Sequence, residues 1–261
     1  MTECLPSLSP LSLLLFFLLA GLAPVTVVLL LVRRFRSIER LRRDHDVVGA
    51  TFTVIGGLYA VLLAFLVMTV STQYSSTLAG CEQEGNALSN LHRDSYGLPA
   101  TNQIPVRQAL IGYARAVVAD EWPMLKYRCD SPKATAAMNR IWEQYHRSEA
   151  GTEREKIWLQ ESITRLNELA NLRRLRILAS QDVVSGVMWV LLLAGGVITI
   201  GFMNFFGVER LRAHLLLTVL LTGLIILILF IIYSYDNPFW GEPHINPTAF
   251  LRFLARHPTP E

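Results

Sequence analysis

Four long apolar runs divide this sequence. Each is about 20 residues long with no acid or base at its centre, which is the length that a helix needs to cross the hydrocarbon core of a bilayer. We predict membrane-spanning helices at 11–32, 47–72, 183–206 and 215–235. The other segments are predicted as an N-terminal tail at 1–10, a basic loop at 33–46, a soluble domain at 73–182, a short basic loop at 207–214 and a Pro-rich C-terminal tail at 236–261.

The soluble domain is predicted to be all-helical, because its apolar residues recur at helical spacing and it carries little strand signal. No proline follows Val70 at the end of the second span, so that helix should continue to about His92, before the turn sequence GLP at 97–99. Further helices are predicted at 105–122, 132–147 and 152–179. The predicted fold class is an all-α membrane protein with four transmembrane helices and a helical soluble domain between the second and third.

The second span carries two faces of interest. One presents small residues every four positions, which would let another helix backbone approach closely; these residues are Gly56, Ala60 and Ala64. The neighbouring face is apolar with a polar end and consists of Gly57, Val61, Phe65, Met68, Thr69 and Thr72. Ordinary helix packing explains both faces. The second face is also what several copies around a common axis would present as a pore lining.

Composition supports the membrane prediction and limits the partners. The chain is 52% hydrophobic and has a mean hydropathy of +0.36, which is too apolar for a soluble domain of this size. Its net charge is only +3, and the basic residues cluster in one loop rather than on a broad face. Nucleic acid is therefore not expected as a partner.

The basic loop predicts the topology. Between Arg33 and Arg43 there are six arginines and one acid. Short loops of this kind stay in the cytoplasm, which would place the N-terminus and the soluble domain on the outer side. We expect these arginines to contact anionic lipid headgroups. Arg173, Arg174 and Arg176, near the third span, count against this orientation.

Candidate chemistry is sparse. The centres of the spans hold no Asp, Glu, Lys or Arg, which disfavours an ion-coupled pump. Cys4, Cys81 and Cys129 have no metal-ligand spacing, so no metal site and no cofactor are predicted. Cys81 and Cys129 are either bridged or free. No catalytic signature is present, so no catalytic residue is assigned and the chain is not predicted to be an enzyme. A membrane enzyme would have to bring together the acids Glu82, Glu84, Asp120 and Glu121 in one pocket.

The segment after the fourth span predicts a turn. Its sequence, DNPFWGEPHINPTAF, contains three prolines that prevent continued helix. Asp236 is placed to accept hydrogen bonds from the backbone of the following turn, which Pro238 would lock. Such a turn at a membrane exit would also hold a pore entrance in shape. Its residues are Asp236, Asn237, Pro238, Phe239 and Gly241.

Several of these segments together resemble a known family. The sequence from Leu62 to Arg93 resembles the pore helix of bestrophins, and DNPFWGEPHINPTAF resembles the segment that follows their fourth membrane helix. From about His45 to Phe250 the chain looks like the bacterial bestrophin-like family. The matching stretches are GGLYAVLLAF, the region of Glu84, GLP at 97–99, YARAVVADEWP at 113–123 and DNPFWG at 236–241.

This resemblance implies a function. Bestrophins are pentameric anion channels with an apolar neck on this helix, which implies a homo-oligomer, a pentamer, in the bacterial inner membrane with a neck at Gly57, Val61 and Phe65. Apolar constrictions gate by dewetting and pass weakly hydrated anions. The resemblance also implies a cytosolic helical domain, opposite to the side that the arginines indicate. The rival hypothesis is a non-conducting membrane scaffold or sensor whose helical domain binds a partner.

Overall fold

The computed structural model describes residues 10–35, 45–181, 184–206, 208–240 and 242–258. The regular elements in these ranges are all helices, which confirms the predicted all-α fold class. They are α1 (Pro10–Phe35), α2 (His45–Asp94), α3 (Ala100–Ala116), α4 (Trp122–Leu125), α5 (Pro132–His146), α6 (Glu153–Leu178), α7 (Gly186–Met203), α8 (Leu211–Asp236) and α9 (Thr248–Arg256). A 3₁₀ turn, Ser95–Gly97, follows α2, and a π-helical turn, Val117–Glu121, joins α3 to α4.

Four of these helices, α1, α2, α7 and α8, are long and apolar enough to cross a membrane. This confirms the predicted four-span architecture. Some residues that the sequence singled out fall outside the described ranges, so their predicted roles stay predictions. They are Cys4, Arg36, Arg40, Arg42 and Arg43, and Gly241 of the C-terminal turn.

The described residues form two compact units. The first, called the span unit here, takes its residues from Met1–Thr72 and Val184–Asp236. The second, called the helical unit, takes its residues from Gln73–Val183 and Asn237–Glu261. The helix α2 has 50 residues without interruption. Its residues up to Thr72 belong to the span unit, and those from Gln73 belong to the helical unit.

The span unit is organised around one face of α2. Tyr59, Leu63, Leu66 and Val70 recur every three or four residues and are buried against α7 and α8. The Tyr59 hydroxyl donates a hydrogen bond to the carbonyl oxygen of Leu192, at 2.9 Å. These four positions form the contacts of α2 with α7 and α8 in the span unit. In the span unit, therefore, α2 packs through large residues.

The small-residue face has no such contact. Ala60 and Ala64 are exposed, and a side chain added at Gly56 would meet no atom within 4 Å in the described structure. None of the described residues covers Ala60 and Ala64, and the role of this face in packing against another helix remains a prediction.

Replacing Gly195 by alanine is expected to destabilise the span unit. A Cβ atom at Gly195 would lie 2.6 Å from the Tyr59 ring, so that buried ring would have to move. Overpacking of this kind costs about 1–3 kcal/mol of unfolding free energy. The measurement is thermal unfolding of the detergent-purified protein. Gly201→Ala is the control, because it lies on the same helix with no atom within 4 Å of its added Cβ. Equal melting of the two variants would contradict the prediction.

The helical unit has one large apolar core. Residues of α2, α3, α5, α6 and α9 contribute to it, among them Leu88, Leu110, Ile141, Leu169 and Phe250, none of which is measurably exposed. Two of its helices begin at side-chain caps. Ser131 accepts a hydrogen bond from the Ala134 amide, and Thr152 forms a capping box with Glu155.

Two local expectations differ from the structure. The helix expected at 105 begins at Ala100 and contains Pro105 in its second turn, where only one backbone hydrogen bond is lost. The segment expected as a Pro-rich tail contains α9, whose Phe250 and Phe253 enter the core of the helical unit. Prolines stop a preceding helix but do not prevent a new one from starting after Pro247.

Candidate functional site

A face of α2 in the span unit is the first candidate site. The predicted pore-lining residues Val61, Phe65 and Met68 have exposed fractions of 71%, 66% and 71%, although the opposite face of the same helix is buried. Gly57, Thr69 and Thr72 are exposed on the same side. The structure therefore brings the six predicted residues together on one uncovered surface.

This surface is uncharged throughout. Its two hydroxyl groups donate to the helix itself, Thr69 to the carbonyl oxygen of Phe65 at 2.9 Å and Thr72 to that of Met68 at 2.8 Å. Bonds of this type satisfy a polar side chain within its own helix. The surface is thus apolar along most of its length, with a mildly polar end at Thr69 and Thr72.

The predicted turn after α8 is present in the described residues. Asp236 is 2% exposed, and its Oδ1 accepts a hydrogen bond at 2.9 Å from the Val184 amide, a backbone group just before α7. Both residues belong to the span unit, so Asp236 connects the chain before α7 to the end of α8.

The rest of the turn belongs to the helical unit. The Trp240 amide donates to the Asn237 carbonyl at 3.1 Å, and the Ile245 amide donates to the Pro238 carbonyl at 2.8 Å. The Phe239 ring lies edge-on to the Trp122 ring, with centroids 5.6 Å apart. These contacts explain the turn as a packing element, and its role at a pore entrance remains a prediction.

A buried charge cluster in the helical unit is the second candidate site, and the sequence did not predict it. Arg176 of α6 binds both Glu84 of α2 and Glu121 of the π turn: its Nε lies 2.7 Å from Glu84 Oε2 and its Nη2 2.7 Å from Glu121 Oε1. Arg173 adds a bond of 2.5 Å to Glu121 Oε2. The Tyr113 hydroxyl donates to Glu84 Oε1 at 2.7 Å. We call these five residues the charge cluster.

The charge cluster is enclosed. Glu84 and Glu121 are 0% exposed and Arg176 is 2% exposed. The rings of Trp122 and Phe250 lie 5.1 and 5.7 Å from the guanidinium carbon of Arg176. Two acids and two arginines balance in charge, which is the condition for burying them. The cluster thus joins α2, the π turn, α6 and α9.

The protonation states follow from these contacts. Burial lowers the pKa of Arg176, but the Glu84 and Glu121 carboxylates raise it by more than burial lowers it. The pKa of Arg176 is therefore above its ordinary value, and the side chain stays charged. Burial and the Glu84 charge raise the pKa of Tyr113, which stays a neutral donor. Burial raises the pKa of Glu121, but hydrogen bonds and charges from Arg173 and Arg176 outweigh burial, and the net shift is downward.

Stability at acid pH is expected to depend on Glu121. Because its pKa is lower when folded than when unfolded, its contribution is present above its ordinary pKa of 4.5 and is lost as the pH falls through the lower folded value. The melting temperature should therefore fall more steeply below about pH 5 in the wild type than in Glu121→Gln. Asp120→Asn, which removes a partly buried acid paired with Lys133, is the control and should keep the wild-type slope. A wild-type slope in Glu121→Gln would refute this assignment.

The acid-based enzyme hypothesis does not meet its geometric condition. Glu84 and Glu121 are neutralised inside the charge cluster, whereas Glu82 pairs with Arg252 and Asp120 pairs with Lys133 at the surface. The four acids do not converge in one open pocket, so we drop this hypothesis. Among the described residues, no group of three or more metal-ligating side chains comes together. Cys81 is a buried free thiol and Cys129 an exposed one, so these two are not bridged.

Parts of the charge cluster were visible in the sequence. Leu169, Leu172 and Arg176 follow helical spacing, so Arg176 occupies an apolar stripe of α6. Glu84 similarly lies among the apolar positions Cys81 and Leu88 of α2. A charged residue on an apolar stripe is the signal that could have identified both. Arg173 and Arg176 also lie near the third span, where basic residues usually indicate membrane topology, so their buried role is less evident from the sequence.

The fold and its sites define a class: a multi-pass, all-helical membrane protein whose second span helix continues into a separate helical unit. The chain belongs to the Bestrophin-like family, whose domain model matches residues 19–250.

Solved structures support the same fold. A bacterial bestrophin homologue from Klebsiella pneumoniae, solved as several variants, is similar with a TM-score of 0.66 at 12% identity, covering 93% of this chain and 96% of that one. Another variant gives a TM-score of 0.67 at 14% identity, covering 94% and 100%. A structure described as a membrane protein gives 0.67 at 13% identity, covering 94% and 97%. No curated protein matches the sequence significantly.

Proposed function

We propose that this chain is one subunit of a homo-oligomeric anion channel in which α2 lines the pore and Gly57, Val61 and Phe65 form an apolar neck. The observation that supports this most directly is the uncovered apolar face of α2, beside a face that is fully packed. By the family resemblance the oligomer is a pentamer. The proposed location is the inner membrane of a bacterium.

The two faces of α2 suit an assembly around an axis. The uncovered face includes Gly57 and ends in Thr69 and Thr72. A surface that contacts only lipid does not require small or polar residues, so their presence favours a pore lining. Next to it, Gly56, Ala60 and Ala64 offer a surface on which a helix of an adjacent copy would pack closely. An apolar, uncharged neck passes weakly hydrated anions, which lose little on dehydration.

Chloride flux from liposomes is the direct test. The purified protein is reconstituted, and its mass in detergent is measured on the same preparation. We expect chloride efflux from a pentameric species, absent from protein-free liposomes. A clean oligomer without flux would favour the scaffold or sensor that binds a partner through its helical unit.

Hydration of the pore face separates the channel from the scaffold independently of flux. In a cysteine-free background, Thr69→Cys and Thr72→Cys are expected to react with a small water-soluble thiol reagent, because a pore lining is wet. Val190→Cys is the control, since Val190 is 68% exposed on α7, a surface expected to face lipid. If all three cysteines were equally unreactive, the pore lining would be ruled out.

The side of the membrane on which the helical unit lies is also part of the proposal. Arg173 and Arg176 neutralise buried acids, which explains their positions without reference to topology. They are therefore not evidence against the orientation that the loop from Arg33 to Arg43 indicates. We therefore propose an extracytoplasmic helical unit. With Cys4 replaced by serine, the exposed thiol of Cys129 should react with an impermeant maleimide in intact spheroplasts. Labelling only after permeabilisation would place this unit in the cytosol.

A further inference from the structure

A cavity in the span unit lies between α1, α7 and α8, and its volume is about 290 Å³. Its lining is apolar except at one end, where the Trp189 indole and the Tyr233 hydroxyl provide the polar side-chain groups. None of its lining residues comes from α2 or from the charge cluster. The cavity is therefore a feature of the span unit that the proposed pore does not use.

The two ends of the cavity lie at different depths along the membrane-spanning helices. Trp189 is the fourth residue of α7, and Tyr233 lies three residues before the end of α8. Their rings lie edge-on, with centroids 6.3 Å apart. Trp and Tyr are typical of the membrane–water interface, so this is the interfacial end of the cavity. From Tyr233 the lining continues along α8 to Ile226, two helical turns or about 10 Å deeper.

The cavity is narrow at its deep end and open at its side. A Cβ atom at Gly21 of α1 would lie 2.5 Å from the Ile226 side chain, so α1 and α8 are in close contact at the deep end. Phe17 and Leu193 line the cavity and are 40% and 54% exposed, and Ala20 is an exposed lining residue as well. A molecule in the surrounding membrane can therefore enter from the side.

The dimensions of the cavity select its occupant. Over a depth of about 10 Å, 290 Å³ corresponds to a mean cross-section of about 30 Å², whereas a helix of another copy, about 10 Å across, would need about 80 Å². A methylene group is about as large as a water molecule, whose share of the liquid is roughly 30 Å³, so about ten methylenes fit. A single hydrocarbon chain matches both the width and the apolar lining.

We propose that this cavity binds one acyl chain of a membrane phospholipid, with the ester end at Trp189 and Tyr233 and the hydrocarbon along Leu193 and Ile226. Aromatic side chains with a polar tip suit a boundary at which one end is apolar and the other is wet. An empty cavity would leave its lining without dispersion contacts, which the chain restores. The site uses the span unit alone and does not depend on whether the protein conducts.

Filling the cavity from α1 tests the proposal. Because Ala20 lines the cavity and is exposed, Ala20→Phe should fold and place a ring where the acyl chain lies, and Ala20→Leu should fill less of it. Ala23→Phe is the matched control: Ala23 is an exposed alanine of the same helix that does not line the cavity. The melting temperature of each purified variant in detergent confirms that it folds.

The probe is phosphatidylcholine with brominated acyl chains, titrated into the protein in detergent micelles. Bromine quenches the fluorescence of a nearby tryptophan, and the signal that Trp189→Phe removes is the one that reports on the cavity. The other four tryptophans belong to the helical unit. We expect saturable quenching of Trp189 in the wild type and in Ala23→Phe. The half-saturating lipid fraction should rise about fivefold or more in Ala20→Phe, because the ring overpacks the occupied cavity, and should rise less in Ala20→Leu.

Two results would overturn the proposal. One is quenching in proportion to the lipid fraction without saturation, which is the behaviour of random lipid contact. The other is the same saturation curve in the wild type and all three alanine variants, which would place the bound chain outside this cavity. Neither result bears on chloride flux, so the acyl-chain site and the proposed channel can fail independently of each other.

Discussion

Replacing Arg176 by methionine is expected to lower the free energy of unfolding by about 3–5 kcal/mol, the usual cost of removing one partner from a buried ion pair. The substitution would leave the carboxylates of Glu84 and Glu121 buried without the cation between them. Arg173 still binds Glu121, so the uncompensated charge would fall on Glu84. The measurement is thermal or denaturant unfolding of the detergent-purified protein.

Arg174→Met is the matched control for this prediction. Arg174 lies on the same helix and is exposed, so its loss is expected to change the unfolding free energy by about 0.5 kcal/mol or less. Adding Glu84→Gln to Arg176→Met should recover part of the loss, because one uncompensated charge disappears. Equal melting of the Arg174 and Arg176 variants would mean that the charge cluster does not stabilise the helical unit.

The second large effect is expected on conduction. Phe65→Ala should raise anion flux, because the Phe65 ring is the bulkiest side chain of the proposed neck and its removal shortens and widens the apolar constriction. A barrier lower by about 1.4 kcal/mol corresponds to an approximately tenfold faster flux. Chloride efflux from liposomes with matched protein content measures it, together with the oligomer mass, which should not change.

Phe16→Ala is the control for the neck. Phe16 is 61% exposed on α1, close to the 66% of Phe65, but lies on a helix outside the proposed pore. We expect wild-type flux from this variant. Unchanged flux from Phe65→Ala in an otherwise active channel would remove Phe65 from the neck.

The fold class could be predicted from the sequence because membrane helices obey a strong constraint. A run of about 20 apolar residues in a polytopic protein has few alternatives to forming a membrane-spanning helix, since a helix satisfies its backbone hydrogen bonds within the lipid. The starts of α5 and α6 also lie close to the predicted residues 132 and 152, and in the structure each helix begins at a side-chain cap, Ser131 and Thr152. These are local signals, and they need no knowledge of what each helix contacts.

The contacts between helices could not be predicted in the same way. The small residues Gly56, Ala60 and Ala64 predict a face for close helix contact, and this stays a prediction. The sequence did not show that Tyr59 packs α2 against α7, where Gly195 and Gly196 leave room for its ring. That complementarity involves residues far apart in the sequence. The pairing of Glu84 with Arg176 is of the same kind, since the two residues are 92 positions apart in the sequence. Local pattern shows that a charge lies on a buried face but not which partner neutralises it.

The helix α9 has a consequence for proteolysis of truncated products. Phe250 and Phe253 of α9 are core residues of the helical unit, and Ala249 packs against Gly85 of α2. A chain cut before Pro247 would therefore lack part of a hydrophobic core rather than a dispensable segment. Such a product should expose the apolar surface that these residues cover and be removed by cellular proteases.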